Sequence, residues 1–444
     1  MRERLRMMDR ELLLPLSLFL ITLVSRLYRL ATPKGYVFDE VYYAKDAHSL
    51  LLHGVELNPK TGTGAFVVHP PVGKWIISIG IRIFGFQEFG WRFMPALVGS
   101  LSVVVMYYTA KKLFANQALA TIASTLMIVD GLHFVESRTA LLDIFLMFFT
   151  QCALLAFLHE KYWLTGSALG LAAATKWSGF YTAFFLLILL IYFDLRQEVP
   201  PLRQFIRNLL LRGSQMILLP IVVYFFSWIG WFWTNIGWDR NWTVDTHQHS
   251  SLIPASIRDW LHYQSEILNF HSHLVTPHPY QSNPWSWLIM GRPTSFYYAT
   301  PTGCGASKCA QEVTAMGTPL LWWLGTLCIA VAIGYLIARK DRTLGILLTV
   351  LASGYLPWFL IQQRTTFNFY VIVIEPVMIL IMVYLAKIYL ESSATWQIMR
   401  RRWIYILSIL FIIILNFFYI LPIIDAQIIS YGDWFSRMWL PSWI

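Results

Sequence analysis

Two adjacent carboxylates, Asp39 and Glu40, lie among aromatic residues just after the first long apolar run of the chain. Burial next to apolar surface raises the pKa of a carboxyl group, because it disfavours the charged form. Such a group can take a proton from a hydroxyl near neutral pH. The pair therefore predicts a general base with a neighbour that orients the substrate. The alternative interpretation is two solvated acids in an interfacial loop.

Three basic residues could bind an anion in the segments that flank the apolar runs. Lys74 ends the stretch HPPVGK that begins at His69, where two prolines fix the backbone and a glycine permits close approach. Arg92 lies between two aromatic residues, and Arg364 precedes two threonines. Each cation could hold a phosphate through charge-assisted hydrogen bonds. Each could equally anchor its helix at the membrane interface.

Further ionisable residues crowd the ends of successive apolar runs: Asp130, Glu136, Arg138, Asp143 and Lys176. A charged side chain at membrane depth costs about 2.5–3.5 kcal/mol on insertion scales, so such residues tend to be paired and functional. Internal ion pairs and substrate contacts are the two interpretations that this pattern leaves open.

The segment 234–317 holds six of the eleven histidines of the chain. They are His247, His249, His262, His271, His273 and His278. The two His-x-His pairs raise the alternative of a metal site. Alternate positions converge on one ion only in a strand, and no cysteine or tight carboxylate pattern joins them, so polar contacts to a substrate are favoured. A proline between His278 and Tyr280 would present both side chains rigidly.

Cys304 and Cys309 share this segment, whereas Cys152 and Cys328 lie within apolar runs and resemble buried thiols. Two loop cysteines on an oxidising side of a membrane predict a local disulfide. Two free thiols are the alternative.

The composition determines the class of element that must position these groups. Hydrophobic residues make up 57% of the 444 residues, charged residues only 13%, and the mean hydropathy is +0.54. A soluble domain is nearer a quarter charged. The net charge of +10 comes from basic residues in short loops between apolar segments. This distribution indicates anionic lipid headgroups as the partner and argues against nucleic acid.

The hydropathy pattern predicts an all-α polytopic membrane protein with eleven transmembrane helices. They lie near residues 12–30, 94–110, 117–132, 139–158, 163–175, 177–194, 215–233, 318–338, 343–362, 367–388 and 403–422. Residues 1–444 then form a single membrane domain. Its two long outer loops, 31–93 and 234–317, are rich in Trp, Tyr and Pro and are expected to hold short interfacial helices.

Alternation of the loops tests this number of spans. With a cytoplasmic N-terminus, the densest basic clusters all fall inside, around Lys111, Lys161, Arg203, Arg339 and Arg400. Cytoplasmic loops carry an excess of Lys and Arg, and one missed span would scramble this pattern. The predicted topology is N-in and C-out, with the candidate chemical groups on the outer face.

Taken together, these residues resemble the protein O-mannosyltransferases in their bacterial, actinobacterial form. The matching pieces occur in the same order along nearly the whole chain: Asp39-Glu40, the stretch from His69 to Lys74, Arg92, the segment from Glu136 to Asp143, Lys176-Trp177-Ser178-Gly179, His278-Pro279-Tyr280, the Cys304/Cys309 segment and Arg364-Thr365-Thr366-Phe367. One departure concerns the large β-trefoil domain of the fungal and animal enzymes. The segment 234–317 is too short to hold it, which favours a bacterial plasma-membrane enzyme.

The resemblance implies a GT-C fold and transfer of mannose from polyprenyl-phosphate mannose to Ser or Thr hydroxyls of exported proteins. It implies a single inverting displacement on the extracytoplasmic face, without a metal or other cofactor, with the secretion translocon and membrane lipids as partners. Asp39 would be the general base, and Glu40 would position the acceptor. Substrate contacts would come from His69, Lys74, Arg92, Arg138, Asp143, Lys176, His278, Tyr280 and Arg364.

Two rivals remain. A transferase of the same fold could place a lipid-phosphate sugar on a glycan or lipid acceptor. A transporter, from another class, is disfavoured because transporters carry ionisable groups near the bilayer midplane. Here only Glu375 does so, and the other charges crowd the outer face.

The topology can be tested with tags. A tag inserted after Arg342 should be cytoplasmic and a tag at Ser282 external, because the basic loops alternate in this way. Protease accessibility on intact cells measures both positions. If both tags were cut, or neither, the number of spans would be wrong.

Overall fold

The computed structural model describes residues 2–197, 201–247 and 252–444. His249, half of one His-x-His pair, lies outside the described residues. The first half of the chain contains α1 (Arg2–Leu27), α2 (Glu40–His53), α3 (Val72–Phe84), α4 (Glu88–Phe114), α5 (Gln117–Ile128), α6 (Gly131–Glu136), α7 (Asp143–Leu158), α8 (Tyr162–Ala173) and α9 (Gly179–Gln197).

In the second half, α10 (Leu202–Gly213) continues through a π-helical turn (Ser214–Leu218) into α11 (Leu219–Ser227). The remaining helices are α12 (Ile229–Trp233), α13 (Trp242–Asp245), α14 (Ala255–His273), α15 (Pro319–Arg339), α16 (Arg342–Tyr355), α17 (Glu375–Glu391), α18 (Trp396–Ile424) and α19 (Tyr431–Ser436). Each predicted span coincides with one or more of these helices.

Six described helical segments are long and apolar enough to cross a membrane. They are Glu88–Phe114, Gly179–Arg196, Leu202–Ser227, Pro319–Arg339, Arg342–Leu360 and Trp396–Ile424. Three shorter apolar helices, Leu12–Leu27, Gln117–Ile128 and Asp143–Leu158, lie among them. The polytopic, helical class is therefore confirmed, whereas the number of eleven crossings and the orientation stay predictions.

Side-chain caps begin five of the described helices, and three of these caps lie together on one predicted side of the membrane. The side chains of Asn116, Asp341 and Thr395 each accept a hydrogen bond from the backbone N–H three residues further on, at the starts of α5, α16 and α18. An N-cap of this kind satisfies a backbone donor that has no partner within the helix. All three caps lie in loops that the charge pattern predicts to be cytoplasmic.

Two glycines allow α8 to pack closely against the π-helical turn and α11. A Cβ atom at Gly166 would lie 1.9 Å from the carbonyl oxygen of Gln215, and one at Gly170 would lie 2.6 Å from Cβ of Val223. Residues four apart share one helix face, and small residues there let membrane helices approach closely. This packing fixes the turn after α8, which carries Lys176.

The two long segments that the sequence predicts to be outer loops, 31–93 and 234–317, both contain helices, α2 and α3 in the first and α13 and α14 in the second. The second also contains two strands that the sequence did not predict, β1 (Thr294–Ala299) and β2 (Cys309–Ala315). A short strand near the C-terminus, β3 (Ile429–Ser430), completes an antiparallel sheet in the order β1-β2-β3. A disulfide between Cys304 and Cys309 closes the connection between β1 and β2.

Candidate functional site

A buried ion pair between Glu40 and Arg92 fixes the first outer loop. Nε and Nη2 of Arg92 donate to the two carboxylate oxygens of Glu40, each at 2.8 Å. The other N–H groups donate to the backbone carbonyls of Leu30, Pro33 and Gly35. Because a guanidinium has five N–H donors, this set uses all of them. Arg92 therefore has no donor left for a phosphate.

Glu40 is equally saturated. Besides Arg92, its carboxylate accepts the backbone N–H groups of Val37 and Ala140, at 2.9 and 3.0 Å. Its side chain is fully buried. The contacts of Glu40 with the acceptor and of Arg92 with a substrate stay predictions, and these internal hydrogen bonds do not support them. The pair instead holds the turn that carries Asp39.

Asp39 lies at the N-cap position of α2, and its side chain makes no capping hydrogen bond. It is partly buried, in contrast to its neighbour. Burial raises its pKa to about 6, with Lys176 lowering it and Asp143 raising it. A carboxyl group with a pKa near 6 is charged at neutral pH and remains a useful proton acceptor.

The Asp143–Lys176 pair lies next to Asp39. Nζ of Lys176 donates to both carboxylate oxygens of Asp143, at 2.9 and 2.8 Å. The same ammonium lies 4.8 Å from the ring centroid of Tyr370. Asp143 begins α7, and Lys176 lies in the turn between α8 and α9. Two elements distant in sequence thus place one cation beside the candidate base.

Arg364 differs from Lys74, Arg92, Arg138 and Lys176, which are each paired with a carboxylate. In the part of the chain that the structure describes, it forms no ion pair with a carboxylate. Its Nη2 lies 3.1 Å from Nδ1 of His271, and its Nε is buried without a hydrogen-bond partner among those residues. Such a cation has charge and donors available for an anionic ligand.

His271 connects Arg364 to the first outer loop. Its Nε2 donates to the carbonyl of Val68 at 2.9 Å, so Nδ1 accepts from Arg364 and the ring is the neutral tautomer. Burial, followed by the charge of Arg364, lowers the pKa of His271 to about 4. The ring centroid of His69 lies 5.2 Å away, and burial lowers the pKa of His69 well below 6.5. Two neutral rings thus bridge the space between Lys176 and Arg364.

Two aromatic rings that contact each other connect Lys176 with Arg364. Lys176 lies over Tyr370 and Arg364 lies 6.0 Å from the ring centroid of Trp358, while the two rings are 4.9 Å apart. Sequence reasoning did not single out Tyr370 or Trp358. Trp358 lies within the ninth predicted span and Tyr370 within the tenth, where aromatic residues are common, and only the structure distinguishes them.

The ring of His278 packs beside Phe38, the residue that precedes Asp39. Nδ1 of His278 accepts the backbone N–H of Tyr280 at 3.1 Å. The His278 ring lies against Phe38 and Phe367, with centroids 6.1 and 5.0 Å away. Phe38 immediately precedes Asp39, so His278 supports the turn of the candidate base.

Two residues with predicted substrate contacts have partners within the protein. Lys74 is 1% exposed and paired with Glu56, a partner that the sequence did not indicate. Arg138 donates to the carbonyl of Arg26 at 2.9 Å and to Asp425 at 2.8 Å, which fastens the end of α1 to the end of α18. Both substrate contacts stay predictions, and these ion pairs do not support them.

The other two carboxylates of this group are also internal. Asp130 accepts hydrogen bonds from the backbone N–H of Thr318 and from the indole of Trp322, at 2.8 and 2.9 Å. Glu136 is fully buried, and neither of its carboxylate oxygens has a partner among the described residues. No three His, Cys, Asp or Glu side chains are grouped as metal ligands in residues 2–197, 201–247 and 252–444.

Two protein families match this chain, one over its first half and one over its second half. Residues 16–235 match the family described as dolichyl-phosphate-mannose-protein mannosyltransferase. Residues 256–443 match the C-terminal four TMM region of protein-O-mannosyltransferase.

Two curated relatives are similar over most of their length. A polyprenol-phosphate-mannose–protein mannosyltransferase of Mycolicibacterium smegmatis is 32% identical, covering 95% of this chain and 90% of that protein. The protein of the same name from Mycobacterium tuberculosis is 31% identical, covering 92% of this chain and 86% of that protein.

Solved structures show the same fold. A protein O-mannosyltransferase complex of Saccharomyces cerevisiae bound to the sugar donor matches with a TM-score of 0.80 at 16% identity, covering 98% of this chain and 93% of that chain. ArnT from Cupriavidus metallidurans bound to undecaprenyl phosphate matches with a TM-score of 0.55 at 16% identity, covering 88% of this chain and 62% of that chain. The predicted GT-C fold is confirmed.

The role of Glu40 can be separated from that of Asp39 by stability. Glu40→Gln should lower the thermal stability of the detergent-purified protein strongly, because it leaves the Arg92 guanidinium buried without a counter-charge. Breaking a buried pair in this way typically costs about 3–5 kcal/mol. Asp39→Asn is the matched control and should melt near the parent temperature, since Asp39 makes no capping bond. A Glu40→Gln protein as stable as the parent, with a raised acceptor KM, would restore a direct substrate role.

Proposed function

This chain belongs to the polyprenol-phosphate-mannose–protein mannosyltransferase family, and we propose that Asp39 is the base with which it activates the acceptor hydroxyl. The enzyme transfers mannose from a polyprenyl-phosphate donor to protein. Under this proposal the acceptors are Ser and Thr side chains of exported polypeptides. The observation that carries it is a partly buried carboxylate of raised pKa beside the Asp143–Lys176 pair. The charge of Arg364 reaches the same region through His69 and His271.

The leaving group needs no general acid, because polyprenyl phosphate, a phosphate monoester, departs as a stable anion. Arg364, with an unused Nε donor, is proposed to bind the phosphate of the donor. Lys176 adds positive charge while Asp143 holds it in place. Fixed cations aimed at developing negative charge are an effective form of catalysis in a water-poor site. The scheme routes no step through a metal.

The reaction is proposed to be one displacement. The acceptor oxygen bonds to the anomeric carbon of mannose as the bond from that carbon to the phosphate oxygen breaks. Asp39 takes the hydroxyl proton, and polyprenyl phosphate leaves. Attack opposite the leaving group inverts the anomeric configuration. His69 and His271, both neutral, present polar atoms between the two cations without adding charge.

The surroundings of the reaction are part of the proposal. The protein is a multi-pass membrane protein. The charge pattern supports a single domain of residues 1–444 with segments 31–93 and 234–317 outside, on the extracytoplasmic face of a bacterial plasma membrane. Anionic lipids would contact the basic inner loops, and polypeptides emerging from the secretion translocon would supply the acceptors.

Asp39→Asn keeps the shape of the side chain and removes the base. We expect kcat to fall by about 10²–10⁴, the usual contribution of a placed base, with the donor KM unchanged. The parent kcat should rise with pH up to about 6 and level off above it, because Asp39 must lose its proton to act. The assay follows label from polyprenyl-phosphate mannose into a Ser/Thr-rich peptide.

The control is Asp46→Asn. Asp46 lies on the same helix, and burial likewise raises its pKa to about 6, with Lys74 as its first charged neighbour. Its removal should change neither kcat nor the pH profile. Near-parental rates for Asp39→Asn would move the base elsewhere. Label entering only a glycan or lipid would favour the same-fold transferase with another acceptor.

Arg364→Ala should lower kcat/KM for the donor by about 10–100-fold, because a charge-assisted hydrogen bond is worth about 1.5–3 kcal/mol. The control is Arg437→Ala. Arg437 also lies over an aromatic ring, 4.9 Å from the centroid of Tyr419, and donates to backbone carbonyls far from Asp39. Donor kinetics should be unaffected there. Unchanged donor kinetics in Arg364→Ala would assign phosphate binding to Lys176.

A further inference from the structure

The outer strand β1 is paired along one edge only. It hydrogen-bonds to β2, and β2 in turn pairs with β3. The backbone N–H of Ala426 also donates to the carbonyl of Glu312 on β2, so that strand has neighbours on both sides. No other segment of the described chain forms a backbone hydrogen bond with residues 294–299. An unpaired strand edge is a ready template for a further strand.

The strand is fastened to the turn of the candidate base. The ring of Phe296 on β1 stacks on that of Phe38, with centroids 4.6 Å apart and planes 10° from parallel. Phe369 contacts both rings, at 5.1 and 5.6 Å. Phe38 has a positive φ of 49°, which is uncommon for a bulky residue and is held here by the surrounding aromatic rings. Asp39 is the next residue.

The second half of β1 opens toward the surface. Thr294 and Phe296 are buried, whereas Tyr298 is 43% exposed. Burial raises the pKa of Tyr298, with Glu312, Tyr431 and Tyr280 adding to the effect. The ring of Tyr280 lies 6.2 Å from that of His278, which in turn lies 6.1 Å from that of Phe38. Aromatic and polar side chains thus line the short path from the strand edge to the base.

We propose that the acceptor polypeptide binds as an additional strand along the free edge of β1, which brings its hydroxyl residue to Asp39. The inference rests on the proposed function, since it takes a polypeptide as the acceptor. A neighbouring strand lies about 4.8 Å away, so a side chain of the added strand falls within reach of the Phe38–Asp39 turn. In this binding mode the main-chain hydrogen bonds give affinity without reading the side chains of the peptide.

Backbone N-methylation tests this docking on the unaltered enzyme. Alternate residues of a strand direct their N–H groups to opposite edges. One peptide series carries N-methyl groups two residues before and two after a single serine, and the matched series carries them three before and three after. We expect one series to raise the acceptor KM at least about tenfold and the other to stay within about twofold. The donor KM should be unchanged in both.

The outcomes separate the two proposals. Equal effects of both series, or no effect of either, would overturn strand addition while leaving mannosyl transfer intact. Failure of the enzyme to mannosylate the unmethylated peptide would overturn the proposed function itself. If only one of the two series raises the acceptor KM while the donor KM stays constant, docking at a strand edge is supported. A groove that contacts only side chains would not distinguish alternate backbone N–H groups.

Discussion

The candidate site depends on one buried ion pair, that of Glu40 with Arg92. Two fully desolvated charges are costly, and their attraction compensates only if every remaining donor and acceptor is satisfied. Here it is: all five N–H groups of Arg92 and both oxygens of Glu40 have partners in the chain. The pair joins the end of the first apolar helix, the start of α2 and the start of α4. Asp39 is carried by this fixed turn, and its partly exposed side chain makes no capping hydrogen bond.

The presence or absence of a carboxylate partner also distinguishes the cations with a structural role from those proposed to bind a substrate. Lys74, Arg92 and Arg138 each face a carboxylate in a nearly dry environment, so their charge is already neutralised. Lys176 is paired too, yet it lies beside Asp39 and over an aromatic ring. Arg364 alone among these five has no carboxylate partner in the described chain. A binding site for a phosphate requires such an excess of positive charge, since a neutralised cation offers little attraction.

The helices were predictable from the sequence because membrane spans are long and are encoded by local hydropathy. The sequence did not show which of the site residues have partners within the protein. The sequence identified the chemical types correctly, but the partners that decide their roles are distant along the chain. Arg92 and Glu40 are 52 residues apart, and Arg138 and Asp425 are 287 apart. The hydrophobic periodicity of a sequence does not indicate which distant residues form ion pairs. The sheet was missed for a similar reason, since its short strands lie in an aromatic loop whose pattern also fits interfacial helices.

Electrostatics explain how a base and phosphate-binding cations can share one face. A cation in direct contact with Asp39 would lower the pKa of the carboxyl group and weaken it as a base. Asp143 prevents this by neutralising Lys176, so that burial dominates and the pKa of Asp39 rises to about 6. Between Lys176 and Arg364 lie two histidines that burial keeps neutral. The unpaired positive charge thereby lies at Arg364, where the proposed scheme places the leaving phosphate. The proposed proton acceptor, Asp39, lies beside the neutralised Lys176.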